Sequence, residues 1–238
     1  MNIELNITLK CNLACNNCNR MCNIYRDRTE HMTVDQVKKF VQQAKEAGGV
    51  QKVKVLGGEP LLNPNFEEIY KVLTDACKDG VIQMLKIDTN HTVQVPNVER
   101  FPFVRWMGMP SRLKRHIPFL KAPKDLGYTI GPQPRCQAIS RCGWSLDKYG
   151  YQPCSSAIML DRLFNNGTSY IREFPKATWG LENLCQYCDF AMPKEWRDKY
   201  SDIPILEHSK DDLTPSPIFK EVMDKFNHEE FYKKQQEF

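Results

Sequence analysis

The chain has 238 residues, which predicts one domain of ordinary size or a main domain with a small appendage. Hydrophobic residues make up 41% of the chain and charged residues 26%, proportions that exclude a disordered or collagen-like protein. The formal net charge of +4 does not indicate an extended nucleic-acid interface. No stretch approaches the length of a membrane span.

Ten cysteines are the most informative feature of the composition. Residues 1–4 show no basic region followed by an apolar run, so we predict no signal peptide and expect a cytoplasmic protein. Reducing compartments do not keep structural disulfides. Metal binding is therefore the expected reason for so many thiols.

Strands are predicted at intervals along the first 130 residues. Residues 3–8 alternate apolar and polar side chains and lead directly into a cysteine-rich loop. Four further strands are predicted at residues 53–56, 81–88, 103–107 and 128–130.

Helices are predicted between these strands. The first begins at the capping-box pair Thr33 and Gln36. The second follows Asn65, which with Glu68 resembles another capping pair. A third is predicted at residues 111–120. The alternation of strand and helix indicates an α/β fold with a parallel sheet. Five strands cannot close an eight-stranded barrel, so we expect an open, partial (β/α) barrel over residues 1–130.

The pattern changes at residues 131–134, Gly-Pro-Gln-Pro, after which helical periodicity is weak. Five of the ten cysteines lie between Cys136 and Cys188, so residues 131–200 are predicted to form a small module organised by metal. Residues 201–238 are predicted to be a linker followed by an amphipathic helix that opens at Ser216.

Cys11, Cys15 and Cys18 have the spacing C-x-x-x-C-x-x-C immediately after the first strand. Three thiolates can hold three irons of a [4Fe–4S] cluster and leave the fourth iron without a protein ligand. An open metal position can coordinate a substrate or cofactor. Cys22 follows closely and is interpreted as a buried or spare thiol rather than a ligand.

These cysteines, together with Gly57-Gly58-Glu59-Pro60 and Asp88-Thr89-Asn90, resemble the radical S-adenosylmethionine (SAM) superfamily over roughly the first 110 residues. The resemblance implies that the cluster binds SAM. It implies that Gly57, Gly58 and Glu59 receive the SAM amino group, that Asp88, Thr89 and Asn90 lie near its ribose or methionine part, and that Ser111 is a weaker contact.

The sequence departs from this family at two positions. The residue before the third cysteine is usually aromatic and is Asn17 here, and the residue after Thr89-Asn90 is often glycine and is His91 here. The interpretation favoured for His91 alone is a surface or satisfied histidine.

The later cysteines resemble the twitch module, a shortened SPASM domain. Cys136, Cys154 and the pair Cys185 and Cys188 have the order expected for ligands of a second, auxiliary [4Fe–4S] cluster. Cys142 is a possible substitute for Cys136. A zinc site is the alternative, because four cysteines suit zinc equally well.

The implied activity is reductive cleavage of SAM to a 5′-deoxyadenosyl radical that abstracts hydrogen from a substrate. A second cluster favours a two-electron oxidation of a small molecule, as in the twitch-type aminocyclitol dehydrogenase. No catalytic residue is identified, although Arg105 and Arg112 are weak candidates. The expected partners are a small-molecule substrate and a reductant such as flavodoxin or ferredoxin.

Three alternatives stay open on the sequence alone. The substrate could instead be a peptide side chain, or a nucleotide. The chain could also be a metal-binding protein without catalysis, although zinc gives no reason for Gly57-Gly58-Glu59-Pro60.

Overall fold

The structure is a computed structural model that describes residues 1–15, 18–22, 30–108, 120–131, 136, 138–165, 167–175, 184–201 and 214–238. The helix expected at residues 111–120 lies mostly outside these ranges. The strands are β1 (Asn2–Thr8), β2 (Lys52–Gly57), β3 (Leu85–Thr89), β4 (Val104–Gly108), β5 (Trp144–Asp147) and β6 (Gly150–Gln152). The helices are α1 (Val34–Glu46), α2 (Phe66–Lys78), α3 (Ala157–Asn165), α4 (Lys194–Ser201), α5 (Pro217–Lys225) and α6 (His228–Lys234).

The strands form one six-stranded sheet in the order β4-β3-β2-β1-β5-β6. β1 to β5 are parallel to their neighbours, and β6 returns antiparallel to β5. The predicted α/β class with an open, mainly parallel sheet is confirmed. The sheet draws strands from both sides of residue 130.

One face of this sheet is apolar and is covered by α1 and α2. Ile3, Leu5, Val55 and Ile87 point to this face and join Phe40, Leu73 and other buried residues in the main core. The opposite face carries the alternate residues of each strand, beginning with Glu4 and Asn6 on β1, and is called the inner face below. Because side chains alternate along a strand, a single polar-apolar pattern fixes both faces.

Two predicted strands differ from the structure. The strand expected at 81–88 is shorter and begins at Leu85, because Gly80 to Met84 turn the chain and pair only through a single bridge at Ile82. The prediction of a strand at residues 128–130 is wrong. Tyr128 is 37% exposed, and the described residues 120–131 contain only a short 3-10 turn, Pro123–Leu126. The fifth strand is Trp144–Asp147, which is buried against β1.

The two predicted helix caps have different outcomes. Thr33 and Gln36 form the full capping box at the start of α1. Asn65 occupies the N-cap position of α2, but its side chain makes no capping hydrogen bond. Instead, the backbone N–H of Asn65 donates to Asn63 Oδ1 at 2.9 Å. The side chain of Asn63, two residues earlier, therefore closes the turn that precedes α2.

A second apolar cluster lies in the C-terminal part of the chain. α3 and α5 pack there through Ile158, Leu163 and Phe219, together with buried cysteines. Within the described ranges, no helix is long and apolar enough to cross a membrane.

Candidate cofactor and metal site

The three segments predicted to hold a cofactor follow neighbouring strands. The cysteine loop follows β1, residues 57–60 lie at the end of β2, and residues 88–90 lie at the end of β3. β1, β2 and β3 are adjacent and parallel. Their carboxyl ends therefore meet at one edge of the sheet, where α/β proteins commonly bind ligands.

Cys11, Cys15 and Cys18 lie in the loop after β1, while Asn17 falls outside the described residues. Cys15 is exposed, and Cys11 and Cys18 are partly exposed. The backbone N–H of Cys18 donates to the carbonyl of Cys15 at 3.3 Å, which curls the loop between them. Burial raises the pKa of Cys11 and of Cys15, and the nearby thiols add to the rise. The three thiols are thus close enough to influence one another's charge.

Cys22 is buried directly beside Cys18. The Cys22 thiol donates a hydrogen bond to the Cys18 sulfur, and this bond is the largest cause that lowers the pKa of Cys18 to about 6. The same bond and burial raise the pKa of Cys22. The structure thus places a fourth thiol next to the predicted ligands, and the assignment of Cys22 as a non-ligand stays a prediction.

The glycines of residues 57–60 are required by the chain that enters the cysteine loop. A Cβ on Gly57 would lie 2.1 Å from the carbonyl oxygen of Thr8, and one on Gly58 would lie 2.3 Å from that of Lys10. The backbone N–H groups of Gly58 and Glu59 donate to these two carbonyls at 2.8 and 2.9 Å. These contacts fix the position of Cys11 relative to Glu59. The resemblance implies that Gly57 and Gly58 help to receive the SAM amino group, and the structure shows that they also allow two backbone segments to approach closely.

Glu59 is fully buried, and its carboxylate accepts three internal hydrogen bonds. Oε1 accepts from Thr89 Oγ1 at 2.8 Å and from the backbone of Leu61 at 3.1 Å, and Oε2 accepts from the backbone of Asn90 at 2.7 Å. A carboxylate has about four acceptor positions, so limited capacity remains for a ligand ammonium group. Glu59 therefore connects the ends of β2 and β3 in addition to its predicted role.

Asn90 joins this edge of the sheet to the cysteines. Its Nδ2 donates to Asn12 Oδ1 at 3.0 Å and lies 3.9 Å from Cys11 Sγ. Asn12 in turn donates to Thr92 at 2.6 Å. Asn12 was not identified from the sequence, although its place next to Cys11 was a signal. His91 is exposed and lies against Gly108, in agreement with a surface histidine.

A second group of cysteines lies around one pocket in the C-terminal cluster. The pocket is lined by Cys136, Cys154, Cys185 and Cys188 together with small and aliphatic residues. Burial raises the pKa of Cys154 to about 12, and burial followed by the neighbouring Asp189 raises that of Cys188. Thiolates in so apolar a pocket need a compensating cation, which a metal cluster supplies.

Cys142 does not line this pocket. Its side chain lies beside Glu4 and Lys54 on the inner face of the sheet. The structure therefore groups Cys136, and not its possible substitute Cys142, with Cys154, Cys185 and Cys188.

Within the described ranges, no three His, Cys, Asp or Glu side chains lie close enough to hold one metal ion. The thiolates of a [4Fe–4S] cluster each bind a different iron, so such a cluster does not require its ligands to meet at one point.

Arg105 and Arg112 are the candidate catalytic residues, and Ser111 and Asp88 are candidate SAM contacts. Arg105 lies on β4 and is exposed on the inner face. Ser111 and Arg112 lie outside the described residues. Asp88 is buried and forms ion pairs with Lys54 at 3.4 Å and Lys86 at 3.2 Å.

Residues 5–101 match the Radical SAM superfamily. The chain contains a radical SAM domain. The match covers less than half of the chain and includes the three cysteines of the loop, residues 57–60 and residues 88–90. The resemblance to this superfamily is therefore confirmed over these residues, and members of the superfamily use a [4Fe–4S] cluster and SAM.

Several curated relatives are similar to part of the chain. A probable GTP 3′,8-cyclase of Methanococcus maripaludis (strain C7) is 36% identical over 87 residues, which are 37% of this chain and 27% of the relative. A GTP 3′,8-cyclase of Actinobacillus succinogenes is 37% identical over 82 residues, 33% of this chain and 23% of the relative. An S-adenosylmethionine-dependent nucleotide dehydratase of Selenomonas ruminantium is 33% identical over 73 residues, 31% of this chain and 25% of the relative. The chain thus spans about a quarter of the length of each relative.

Two solved structures are also similar. The crystal structure of BtrN in complex with AdoMet and 2-DOIA has a TM-score of 0.41 and 12% identity, over 84% of this chain and 86% of that chain. Streptococcus suis SuiB bound to precursor peptide SuiA has a TM-score of 0.36 and 21% identity, over 48% of this chain and 24% of that chain. Both scores are below 0.5, so neither likeness decides fold or function here.

Proposed function

We propose that this protein is a radical SAM enzyme that oxidises a small molecule by two electrons. The observation that carries the proposal is the hydrogen-bonded junction at the carboxyl edge of the sheet. There, the backbone of Glu59 donates to Lys10, and Asn90 lies beside Cys11. One rigid junction thus holds the cysteine loop next to the residues expected to bind SAM.

Cys11, Cys15 and Cys18 would hold the first cluster, with the fourth iron left for SAM. When bound, this cluster would supply the electron that cleaves SAM to methionine and a 5′-deoxyadenosyl radical, which takes hydrogen from the substrate. Glu59 would accept a hydrogen bond from the SAM ammonium with its remaining capacity. Its internal bonds to Thr89 and the backbone of Asn90 hold the carboxylate in one orientation, which reduces the cost of ordering it on binding.

Cys136, Cys154, Cys185 and Cys188 would hold an auxiliary cluster. Because all four iron positions would carry protein ligands, this cluster would serve as the acceptor of the second electron and would not bind substrate directly. The lining of the pocket, which includes Leu160 and Leu184, is mostly apolar and would reduce the access of water to the thiolates.

A nucleotide substrate is the second candidate. The observation that favours it is that the curated relatives are named GTP 3′,8-cyclases and a nucleotide dehydratase. However, the similarity extends over 73 to 87 residues, about a quarter of the length of each relative. Because most of each relative lies outside the match, the similarity by itself does not assign a substrate to this chain.

Iron content after anaerobic reconstitution tests the proposal. We expect about eight irons per chain, and about four when Cys11, Cys15 and Cys18 are replaced by Ala. Cys136→Ala should disturb the auxiliary cluster, whereas the control Cys142→Ala should leave the iron content unchanged because Cys142 lies outside the pocket. About four irons, lost entirely in the triple variant, would remove the electron acceptor and with it the oxidation hypothesis. Zinc in place of iron at both sites would contradict radical chemistry altogether.

A further inference from the structure

The inner face of the sheet carries a row of charged side chains at one level. Glu4 on β1 is the register partner of Lys54 on β2, Lys54 of Lys86 on β3, and Lys86 of Arg105 on β4. We call these four residues the inner row. Side chains directly opposite one another on neighbouring strands point to the same face, so the inner row presents one carboxylate followed by three cations.

Along β1 to β4, the inner face holds more positive charge than its ion pairs use. Glu4 binds Arg20 and Lys54, each at 2.6 Å. Asp88, two residues beyond Lys86 on β3, is shared by Lys54 and Lys86. Two carboxylates thus serve three cations before Arg105 is counted. Like charges on directly opposite strand positions are destabilising, so this excess has a cost to folding that a bound anion would remove.

The excess charge lies where a ligand can reach it. Exposure increases along the inner row, from 1% for the Glu4 side chain to 21% for Lys54 and 27% for Lys86. Arg105 is exposed, and it forms no ion pair with the residues that the structure describes. The cations at the β3–β4 end of the inner row are therefore accessible to a ligand, while the Glu4 carboxylate at the other end is buried.

A buried acceptor without a donor lies on the same face. Asn6 is 3% exposed, and its Nδ2 donates to Ser145 Oγ at 2.8 Å. Its Oδ1 has no hydrogen-bond partner among the described residues, and the same holds for Oε1 of the buried Gln152. Asn6 faces the same side as Glu4 and lies roughly 7 Å nearer the cofactor edge of the sheet. A buried acceptor without a partner is costly, so a donor group bound at this face would stabilise Asn6.

We infer that Lys86 and Arg105 bind the phosphate of a phosphorylated small-molecule substrate, with Asn6 accepting a hydrogen bond from one of its hydroxyl or amino groups. The inference rests on the proposed function, because it names the substrate class of the same enzyme. A phosphate carries up to two charges and several acceptor oxygens, which matches a lysine and an arginine on adjacent strands. Lys86 and Arg105 lie near the start of β3 and β4. The rest of a substrate whose phosphate they bind would therefore extend from the inner row toward SAM at the cofactor edge.

Equilibrium binding of inorganic pyrophosphate to the reconstituted protein tests the inference. Arg105→Gln is the main variant, because Arg105 is exposed and its loss leaves no described partner unpaired. Lys86→Gln is the second variant. Lys71→Gln is the matched control, because Lys71 is an equally charged residue on the outer helix α2, paired with Asp75 at 2.8 Å. Iron content and thermal unfolding verify that each variant is folded.

We expect saturable binding of pyrophosphate that weakens as salt is added. The affinity should fall about tenfold in Arg105→Gln and in Lys86→Gln but not in Lys71→Gln. No saturable binding, or equal binding in all four proteins, would overturn the inference. Two further probes separate the possible sources of the phosphate. Tighter binding of GTP than of ribose 5-phosphate, both sensitive to Arg105→Gln, indicates a nucleotide, and equal binding indicates a simpler phosphate ester.

The formation of 5′-deoxyadenosine with dithionite and no substrate separates this inference from the proposed function. If SAM is cleaved but pyrophosphate does not bind, the substrate class is wrong and the radical SAM proposal stands. If SAM is not cleaved in the iron-loaded protein, the proposed function fails independently of the binding result.

Discussion

Glu4 shows how single residues on the inner face depend on their partners. Burial by itself would raise the pKa of Glu4, but the Arg20 guanidinium and the Lys54 ammonium lower it from 4.5 to about 2. A carboxyl whose pKa is lower in the folded state stabilises the fold when it is ionised. This contribution is fully present above pH 4.5 and is lost as the pH falls from 4.5 toward 2.

We therefore predict that Glu4→Gln destabilises the protein at neutral pH by about 3 kcal/mol. The difference in unfolding free energy between the two proteins should shrink as the pH falls below 4.5. Denaturant unfolding of both proteins at a series of pH values measures this difference, so that acid effects on the rest of the molecule cancel. A difference that is constant with pH would show that Glu4 is not stabilised by its charge.

A substitution at Gly58 tests the importance of the contact between residues 57–60 and the cysteine loop. A Cβ at Gly58 would lie 2.3 Å from the Lys10 carbonyl oxygen and 2.9 Å from that of Leu9. Gly58→Ala should therefore displace the segment that carries Cys11, and lower the iron bound by the first cluster. Gly131→Ala is the control, because no atom of the described residues lies within 4 Å of the position of its Cβ. Iron analysis and visible absorbance of the reconstituted proteins compare the two, and equal iron in both would contradict this role of Gly58.

At the scale of the helices, a capping pattern in the sequence does not always produce capping hydrogen bonds in the structure. Thr33 and Asn65 both precede a helix with a Gln or Glu three residues later, yet only Thr33 makes the hydrogen bonds of a capping box. Asn65 differs because Asn63 already accepts from its backbone and fixes the turn.

We predict that Thr33→Ala lowers the free energy of unfolding by about 1 kcal/mol. Asn65→Ala should have a clearly smaller effect, because its side chain satisfies no backbone group of α2. Chemical denaturation with the same slope for all three proteins gives the comparison. Equal losses in both variants would mean that Asn65 caps α2 in solution.

At the scale of the whole molecule, Arg162 connects distant parts of the chain. Its buried guanidinium donates to both oxygens of Glu30, which precedes α1, and to Asp147 at the end of β5 at 2.8 Å. Tyr170 and Tyr232 also donate to these carboxylates. The segment after the cysteine loop, the β5–β6 hairpin, α3 and α6 therefore meet at one residue.

Arg162→Met should destabilise the protein by about 3–5 kcal/mol, because it leaves two buried carboxylates without their cation. Lys225→Met removes the exposed pair with Glu221 on α5 and should have no measurable effect. Thermal and denaturant unfolding of the two variants measure the contrast. A small loss in Arg162→Met would show that the carboxylates find other partners or take up protons.

Local patterns in the sequence indicate the cofactor class and the order of the segments. The cysteine spacing and Gly57-Gly58-Glu59-Pro60 indicate the radical SAM domain, and the alternation in residues 3–8 indicates the first strand, because both patterns lie within short stretches of the chain. The tertiary structure shows which distant residues meet. It placed the fifth strand at Trp144–Asp147, grouped Cys136 rather than Cys142 with the later cysteines, and aligned Lys54, Lys86 and Arg105 in one row. Strand register and pocket lining depend on contacts between residues far apart in the chain, and local propensity and spacing do not specify these contacts.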